Sequence, residues 1–155
     1  GVATIIVSEL NEVRLEHAAR LGATVAVNPQ RDDLQRTVMD AGGGLGVDAV
    51  VVTTGVPSLL EPALAAVRRQ GTVSLFGGFP LGSTVALDPN AVHYNEIIIT
   101  GSQNATSDQY RRALQLLTVM PQAAAINTHR FPIDEGRKAY ESRLGMDGLK
   151  SLVIF

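Results

Sequence analysis

Cysteine is absent from this 155-residue chain, which excludes a disulfide framework and any cysteine-ligated zinc within it. A surplus of one charge is absent as well: 13 basic residues against 15 acidic ones leave a formal net charge of −2. The basic residues are scattered, so the clustered patch of a nucleic-acid binder is missing and no nucleic-acid partner is expected. No apolar run approaches the roughly 18 to 20 residues that a spanning helix needs. No basic leader with a short apolar stretch opens the chain, so a cytoplasmic address with no membrane partner is expected. Internal repeats, linkers and low-complexity tracts are not found either. What is present, 45% hydrophobic and 18% charged residues, suits one globular domain with a real core.

The chain opens at Gly1 and runs at once into the apolar stretch Ala3–Val7. Such an unframed start reads as a piece of something longer, because core elements are usually preceded by a few polar residues.

Short β-branched runs alternate with helical patterns, the mark of a βαβ parallel sheet and an α/β fold. The pattern predicts a strand over Ala3–Ser8, then a helix capped by Asn11, with Leu15, Ala18 and Ala19 on one face and Gly22 at its end. A strand Thr24–Val27 stops at Asn28-Pro29. Asp32 or Asp33 caps a second helix, on which Leu34, Val38 and Ala41 recur at helical spacing. The glycine-rich run Gly42–Gly46 is a turn before the strand Ala49–Thr53. Ser58 and Glu61 have capping-box spacing for a helix Leu59–Arg69, with Pro62 in its first turn.

Further along, a strand Thr72–Phe76 ends in Gly77-Gly78. A short strand Val85–Leu87, a loop Asn90–Glu96 and a strand Ile97–Thr100 follow. Ser107 is the expected cap of a helix with Tyr110, Ala113, Leu114 and Leu117 on one face. The tail reads as an extended Thr128–Pro132, a helix near Asp134–Arg143 and a final strand Lys150–Phe155. A composition shift near Asn104 marks the plausible domain boundary.

Parallel sheets bind ligands beyond the carboxyl ends of their strands. Here those ends are Glu9, Thr53-Thr54-Gly55, Phe76-Gly77-Gly78 and Gly101-Ser102. Glycines and small polar residues collect where a ligand would approach the backbone.

The segments Ile5–Asn11 with Arg14-Leu15, Leu21-Gly22-Ala23, Val47–Val50, Thr54–Pro57, Gly71–Val73 with Phe76–Gly78, Thr100–Ser102, Thr128–Pro132 and Leu149–Ile154 follow one another in a familiar order. Together they resemble the medium-chain, zinc-dependent dehydrogenases, in particular the sorbitol, threonine and related polyol branch. The resemblance implies an incomplete doubly wound parallel (Rossmann) sheet. Residues 1–103 would be part of an NAD-binding domain, and residues 104–155 would return to a catalytic domain.

The family's first strand, its Gly-x-Gly-x-x-Gly turn and the following helix would precede Gly1. Neither Gly42, Gly44 and Gly46 nor Gly77, Gly78 and Gly82 have that spacing. The absent strand would lie between Ala3–Ser8 and Ala49–Thr53. The zinc ligands would also lie outside this chain, which then carries no catalytic residue and no metal ligand of its own. The implied parent transfers a hydride between an alcohol or polyol and NAD with zinc assistance, as a homodimer or homotetramer.

Carried over position by position, the resemblance places Glu9 on the adenosine ribose hydroxyls. A carboxylate there suits a diol and repels a 2′-phosphate, by roughly 4 kcal/mol per unit charge at about 4 Å before screening. Arg14 matches a basic residue that reaches the same ribose. Thr53, Thr54 and Gly55 match the strand end flanking adenine. Phe76, Gly77 and Gly78, with Ser102 and Asn104, match stretches whose backbone meets the nicotinamide carboxamide. Lys150 matches a basic residue on the pyrophosphate.

Bland readings stand beside these. Glu9 can be a solvated acid at a strand end, Arg14 a surface arginine, and Lys150 a lysine that happens to precede a strand. His17 reads as solvated, and His93 and His129 as structural, since none has a second ligand or base at relay spacing. Asn127 stands where the family usually carries an aliphatic residue. Two other functions fit the same pattern less well: a zinc-free quinone reductase of the same superfamily, and a non-catalytic nucleotide-binding module or methyltransferase-like fold. The nucleotide-binding module and the methyltransferase-like fold need no tail that returns to another domain; a Cys and a Gly-His-Glu motif ahead of these residues would favour zinc over the quinone reductase.

Overall fold

The computed structural model describes residues 2–155; Gly1, with which the expected cofactor domain opens, lies outside them. Among these residues seven strands and six α-helices alternate. They are β1 (Ile6–Ser8), α1 (Glu12–Arg20), β2 (Val25–Val27), α2 (Leu34–Ala41), β3 (Val47–Val52), α3 (Leu60–Ala66) and β4 (Val67–Leu75). There follow α4 (Pro89–Asn95), β5 (Ile98–Gly101), α5 (Ser107–Val119), β6 (Asn127–Pro132), α6 (Gly136–Gly145) and β7 (Lys150–Ile154). Every strand pairing is parallel: β1 with β2, β3 with β4 and β4 with β5, and β6 with β7. The fold is α/β and Rossmann-like. Among the described residues no helix is long and apolar enough to cross a membrane.

The chain divides into two compact units. One is Asp33–Asn104, and the other joins the stretch ending at Asp32 to Ala105–Phe155. In the first, Val52, Leu60, Ala63, Val67, Val73 and Ile97 form one buried cluster. The strand order β3-β4-β5 brings β4 to the middle, and Val73 on it is 0% exposed. In the second unit, Leu15, Val27 and Ala139 are the buried apolar side chains.

Local signals behave as written at several ends. The Asn11 side chain accepts from the Arg14 N–H at 3.1 Å, and that of Asp33 from Arg36 at 2.9 Å. Gly22 takes a φ of +111°, which a residue with a Cβ resists. Six expectations need correction.

The first strand starts at Ile6, not Ala3. Its partner β2 begins only at Val25, and the Thr24 hydroxyl already takes the Ile5 N–H at 3.0 Å, so Ala3 and Thr4 have nothing to pair with. No strand forms at Val85–Leu87, because the chain turns at Pro80–Ser83 and residues 84–87 are exposed and pair with no other strand among the described residues. The expected loop Asn90–Glu96 is instead the helix α4: Asp88 caps it on the Asn90 N–H at 2.9 Å, and Pro89 occupies the first helical position.

The Ser58–Glu61 capping box does not form. The helix opens with a 3₁₀ turn over Pro57–Leu59 and has no side-chain cap. It also ends at Ala66, since Val67 turns extended and pairs with Val47. Between that pair and Ala49–Thr72 the register shifts, with Gln70 at φ +58°. A Cβ on Gly71 would sit 2.5 Å from the Val67 side chain, so this bulge needs glycine. Finally, Thr106 rather than Ser107 caps α5. Its hydroxyl accepts from the Gln109 N–H at 3.3 Å and its own N–H donates to the Gln109 side chain at 2.7 Å, a complete capping box.

Candidate functional site

The candidate residues fall into two groups, each within one unit. Glu9, Arg14 and Lys150 belong to the unit built from both ends of the chain. Thr53, Thr54, Gly55, Phe76, Gly77, Gly78, Ser102 and Asn104 belong to the other.

Glu9 follows β1 directly, and its N–H still reaches the Val27 carbonyl at 3.2 Å. Its side chain folds back onto the turn. Oε1 accepts from the N–H groups of Leu10 at 2.8 Å and Asn11 at 3.0 Å, and Oε2 accepts from Arg14 Nε at 3.1 Å. A carboxylate offers about four acceptor directions. Three are engaged, which leaves one on Oε2, and the side chain is still 29% exposed. That direction can take one further donor. Two together would have to displace one of the present donors.

Arg14 also donates from Nη1 to the Gly148 carbonyl at 3.3 Å, so it joins the Glu9 turn to the loop ahead of β7. That loop is held elsewhere too. The Thr128 hydroxyl accepts from the Leu149 N–H at 3.0 Å and lies 3.4 Å from the Lys150 N–H. Lys150 is the first residue of β7 and is exposed. Asn127, the departure noted in the sequence, pairs with Lys150 just before a register shift in this sheet.

In the other unit, the ends of three parallel strands meet through their backbones. The Phe76 and Gly77 N–H groups donate to the Val52 carbonyl at 3.0 and 2.9 Å, and the Ser102 N–H donates to Leu75 at 3.3 Å. A Cβ on Gly77 would lie 2.7 Å from the Thr53 carbonyl carbon, and one on Gly55 would lie 2.1 Å from the Gly78 oxygen. Glycine is therefore what lets Thr53–Gly55 and Phe76–Gly78 touch. Gly78 itself faces open space, and Phe76 is 64% exposed. Asn104, at φ +56°, is exposed and makes no side-chain hydrogen bond to these stretches among the described residues.

One structural contributor escaped the sequence reading. Asn28, a polar residue, is only 5% exposed. Its Nδ2 donates to the Leu10 carbonyl at 3.1 Å and to Glu12 Oε1 at 2.5 Å, and its Oδ1 accepts from the Gln30 N–H. It thereby ties the end of β2 to the turn that carries Glu9. Arg31 closes the same network on Glu12 and Asp32, and the Glu12 charge above all raises its pKa beyond the ordinary value. The visible signal was Asn-Pro after a strand, which reads as a turn; its burial is written nowhere locally.

Two of the histidines sit against aromatic rings. His93 meets Tyr94 edge-on at 4.9 Å, and His129 stacks on Phe131 at 6.2 Å. Among the described residues no three His, Asp or Glu side chains are grouped to hold a metal ion, so the residues present do not fit a zinc centre. An open groove of about 740 Å³ lies in the Asp33–Asn104 unit, lined by residues such as Met39, Leu64, Arg69 and Ala91, and it contains none of the strand-end residues.

Known proteins share this architecture over its whole length. An L-threonine 3-dehydrogenase from Shewanella woodyi is 29% identical over 150 residues, 96% of this chain and 43% of that enzyme. An alcohol dehydrogenase from Thermotoga maritima superposes with a TM-score of 0.92 at 22% identity, over 99% of this chain and 43% of the other. A zinc-binding dehydrogenase described as putative, from Sinorhizobium meliloti and bound to NADP, superposes with a TM-score of 0.87 at 25% identity, over 100% and 46%. The chain thus spans less than half the length of the proteins it matches. The family model described as zinc-binding dehydrogenase matches residues 1–119. By that match the chain belongs to the zinc-binding dehydrogenase family, a family of oxidoreductases.

Proposed function

We propose that this chain holds the cofactor of an NAD-dependent alcohol or polyol dehydrogenase, with residues 1–103 forming part of the cofactor domain and residues 104–155 returning to a catalytic domain. The observation that carries this reading is Glu9. It is a carboxylate at the carboxyl end of a parallel strand, held by two main-chain N–H groups and Arg14, with one acceptor direction left open.

Glu9 and Arg14 would receive the adenosine ribose. Thr53, Thr54 and Gly55 would flank adenine, and Lys150 would face the pyrophosphate. Phe76, Gly77, Gly78, Ser102 and Asn104 would hold the carboxamide through their main chain. When bound, the nicotinamide supplies the hydride acceptor for an alcohol or the donor for a carbonyl. This chain's residues orient and retain it; the zinc ligands and the substrate pocket belong to the rest of the parent.

Cofactor choice is the sharp test, because one structural neighbour is bound to NADP. In the full-length protein, kcat/KM should favour NAD over NADP by about 100-fold or more, since the Glu9 carboxylate opposes a 2′-phosphate even after screening. Glu9→Ser should shrink that preference at least tenfold or so, mainly through a higher KM for NAD. A full-length protein that uses NADP as well as NAD overturns the ribose assignment.

The same reading makes the parent a homodimer or homotetramer. β5 is the last strand of its sheet, and Ile98 on it is 58% exposed. An apolar open edge of this kind invites pairing. Sedimentation of the full-length protein at micromolar concentration should show no monomer; a monomer there contradicts the assignment.

A further inference from the structure

We propose that Arg14 is a positioning residue for Lys150 as well as a partner of Glu9, so that one guanidinium sets both the ribose and the pyrophosphate ends of the site. The inference rests on the cofactor role argued above. Its basis is a contact between residues 134 apart in sequence. Arg14 Nε lies 3.1 Å from Glu9 Oε2 while Nη1 lies 3.3 Å from the Gly148 carbonyl, and the side chain is only 30% exposed. The guanidinium is planar and its donors are fixed relative to one another, so holding one partner constrains the other.

The loop that Arg14 grips has little slack. In the β6–β7 ladder Asn127 pairs with Lys150 and His129 with Ser151, which leaves Thr128 as the extra residue of a bulge. Its hydroxyl accepts from the Leu149 N–H and donates to the Lys150 carbonyl at 3.3 Å. A Cβ on Gly148 would lie 2.3 Å from that hydroxyl and 2.6 Å from the His129 ring. Gly148 is thus wedged between Thr128 and His129 on one side and held by Arg14 through its carbonyl. Lys150 leaves this fixed point two residues later, at the start of β7. A shift of the Arg14 side chain therefore moves the base from which Lys150 reaches.

A double-mutant cycle on the full-length protein separates this role from simple charge pairing with Glu9. The probes are ADP-ribose, which carries the pyrophosphate, and adenosine, which does not, both titrated calorimetrically. Lys150→Ala alone should weaken ADP-ribose about tenfold, the scale of a lost charge-assisted contact, and leave adenosine unchanged. In an Arg14→Gln background the same Lys150→Ala change should cost less than about threefold, because Lys150 is already misplaced. Gly148→Ala should likewise erase the Lys150 effect while adenosine binding is kept, which also shows that the variant is folded. If Lys150→Ala costs the same factor with and without Arg14, the positioning role is wrong. If neither Glu9→Ser nor Lys150→Ala changes ADP-ribose affinity, the cofactor reading itself falls, and this inference falls with it.

Discussion

Expressed by itself, the 155-residue chain should turn over no alcohol with either nicotinamide cofactor, and it should melt broadly or aggregate. The reason lies in its strand edges. β1 pairs only with β2, and β3 only with β4, so each keeps one edge without a partner among the described residues. A parallel edge makes about one ladder bond per residue, and β1 has three residues and β3 six. At roughly 0.5 to 1.5 kcal/mol net per bond, the missing stabilisation is about 5 to 14 kcal/mol. That matches the whole stability of an ordinary domain, roughly 5 to 15 kcal/mol.

Uncovered apolar surface adds to the liability. α5 has no buried residue, and Tyr110, Leu114 and Val119 on it are 63%, 66% and 73% exposed. Surface of that kind favours association when nothing covers it. Circular dichroism melts, light scattering and NAD titration of the isolated chain check the prediction. A monomer with one sharp transition in the usual range of about 45 to 65 °C and micromolar NAD affinity would overturn it.

The second large effect concerns Val73. It is 0% exposed on the central strand β4, opposite Val50 on one side and Ile99 on the other. Leu60, Ala63 and Ile97 close the same cluster. In the full-length protein Val73→Asp places a carboxylate among aliphatic side chains. An uncompensated buried charge costs about 3 to 5 kcal/mol, so little folded protein should remain. Val73→Ala leaves only a cavity, and roughly 1 to 3 kcal/mol should be lost. Urea unfolding of both variants gives the values. A Val73→Asp protein within about 1 kcal/mol of the parent would mean that this strand is not the centre of the core.

Much of the geometry around the candidate residues could be read from local pattern. Glu9 falls after a β-branched run, and Asn11 caps the helix behind it, so a carboxylate at a strand end needs only neighbouring residues to be seen. Gly55 and Gly77 are legible for the same reason: small residues at the ends of parallel strands let backbones approach. Asp88-Pro89 was equally legible as a helix start. The helical period itself is faint there, because α4 carries no apolar stripe and buries none of its residues.

Other features have no local signature. Val85–Leu87 has the composition of a strand, yet a strand exists only if another edge lies alongside, and none does. Ser58 and Glu61 have capping-box spacing, but the chain enters that helix through a 3₁₀ turn in which the box geometry does not arise. Asn28 looks like any turn residue until its amide is seen buried under the Glu9 turn.

By itself, then, the sequence determined the α/β class, the order of most strands and helices, the caps at Asn11 and Asp33 and the small residues at the strand ends. Each of these depends on side-chain period or on hydrogen bonds between residues a few positions apart. Tertiary structure alone decided where several strands begin, which polar group is buried, that the chain also divides at Asp32, and that Arg14 reaches Gly148. Those outcomes depend on which backbone edge or side chain arrives from far along the chain, and no window of neighbouring residues contains that information.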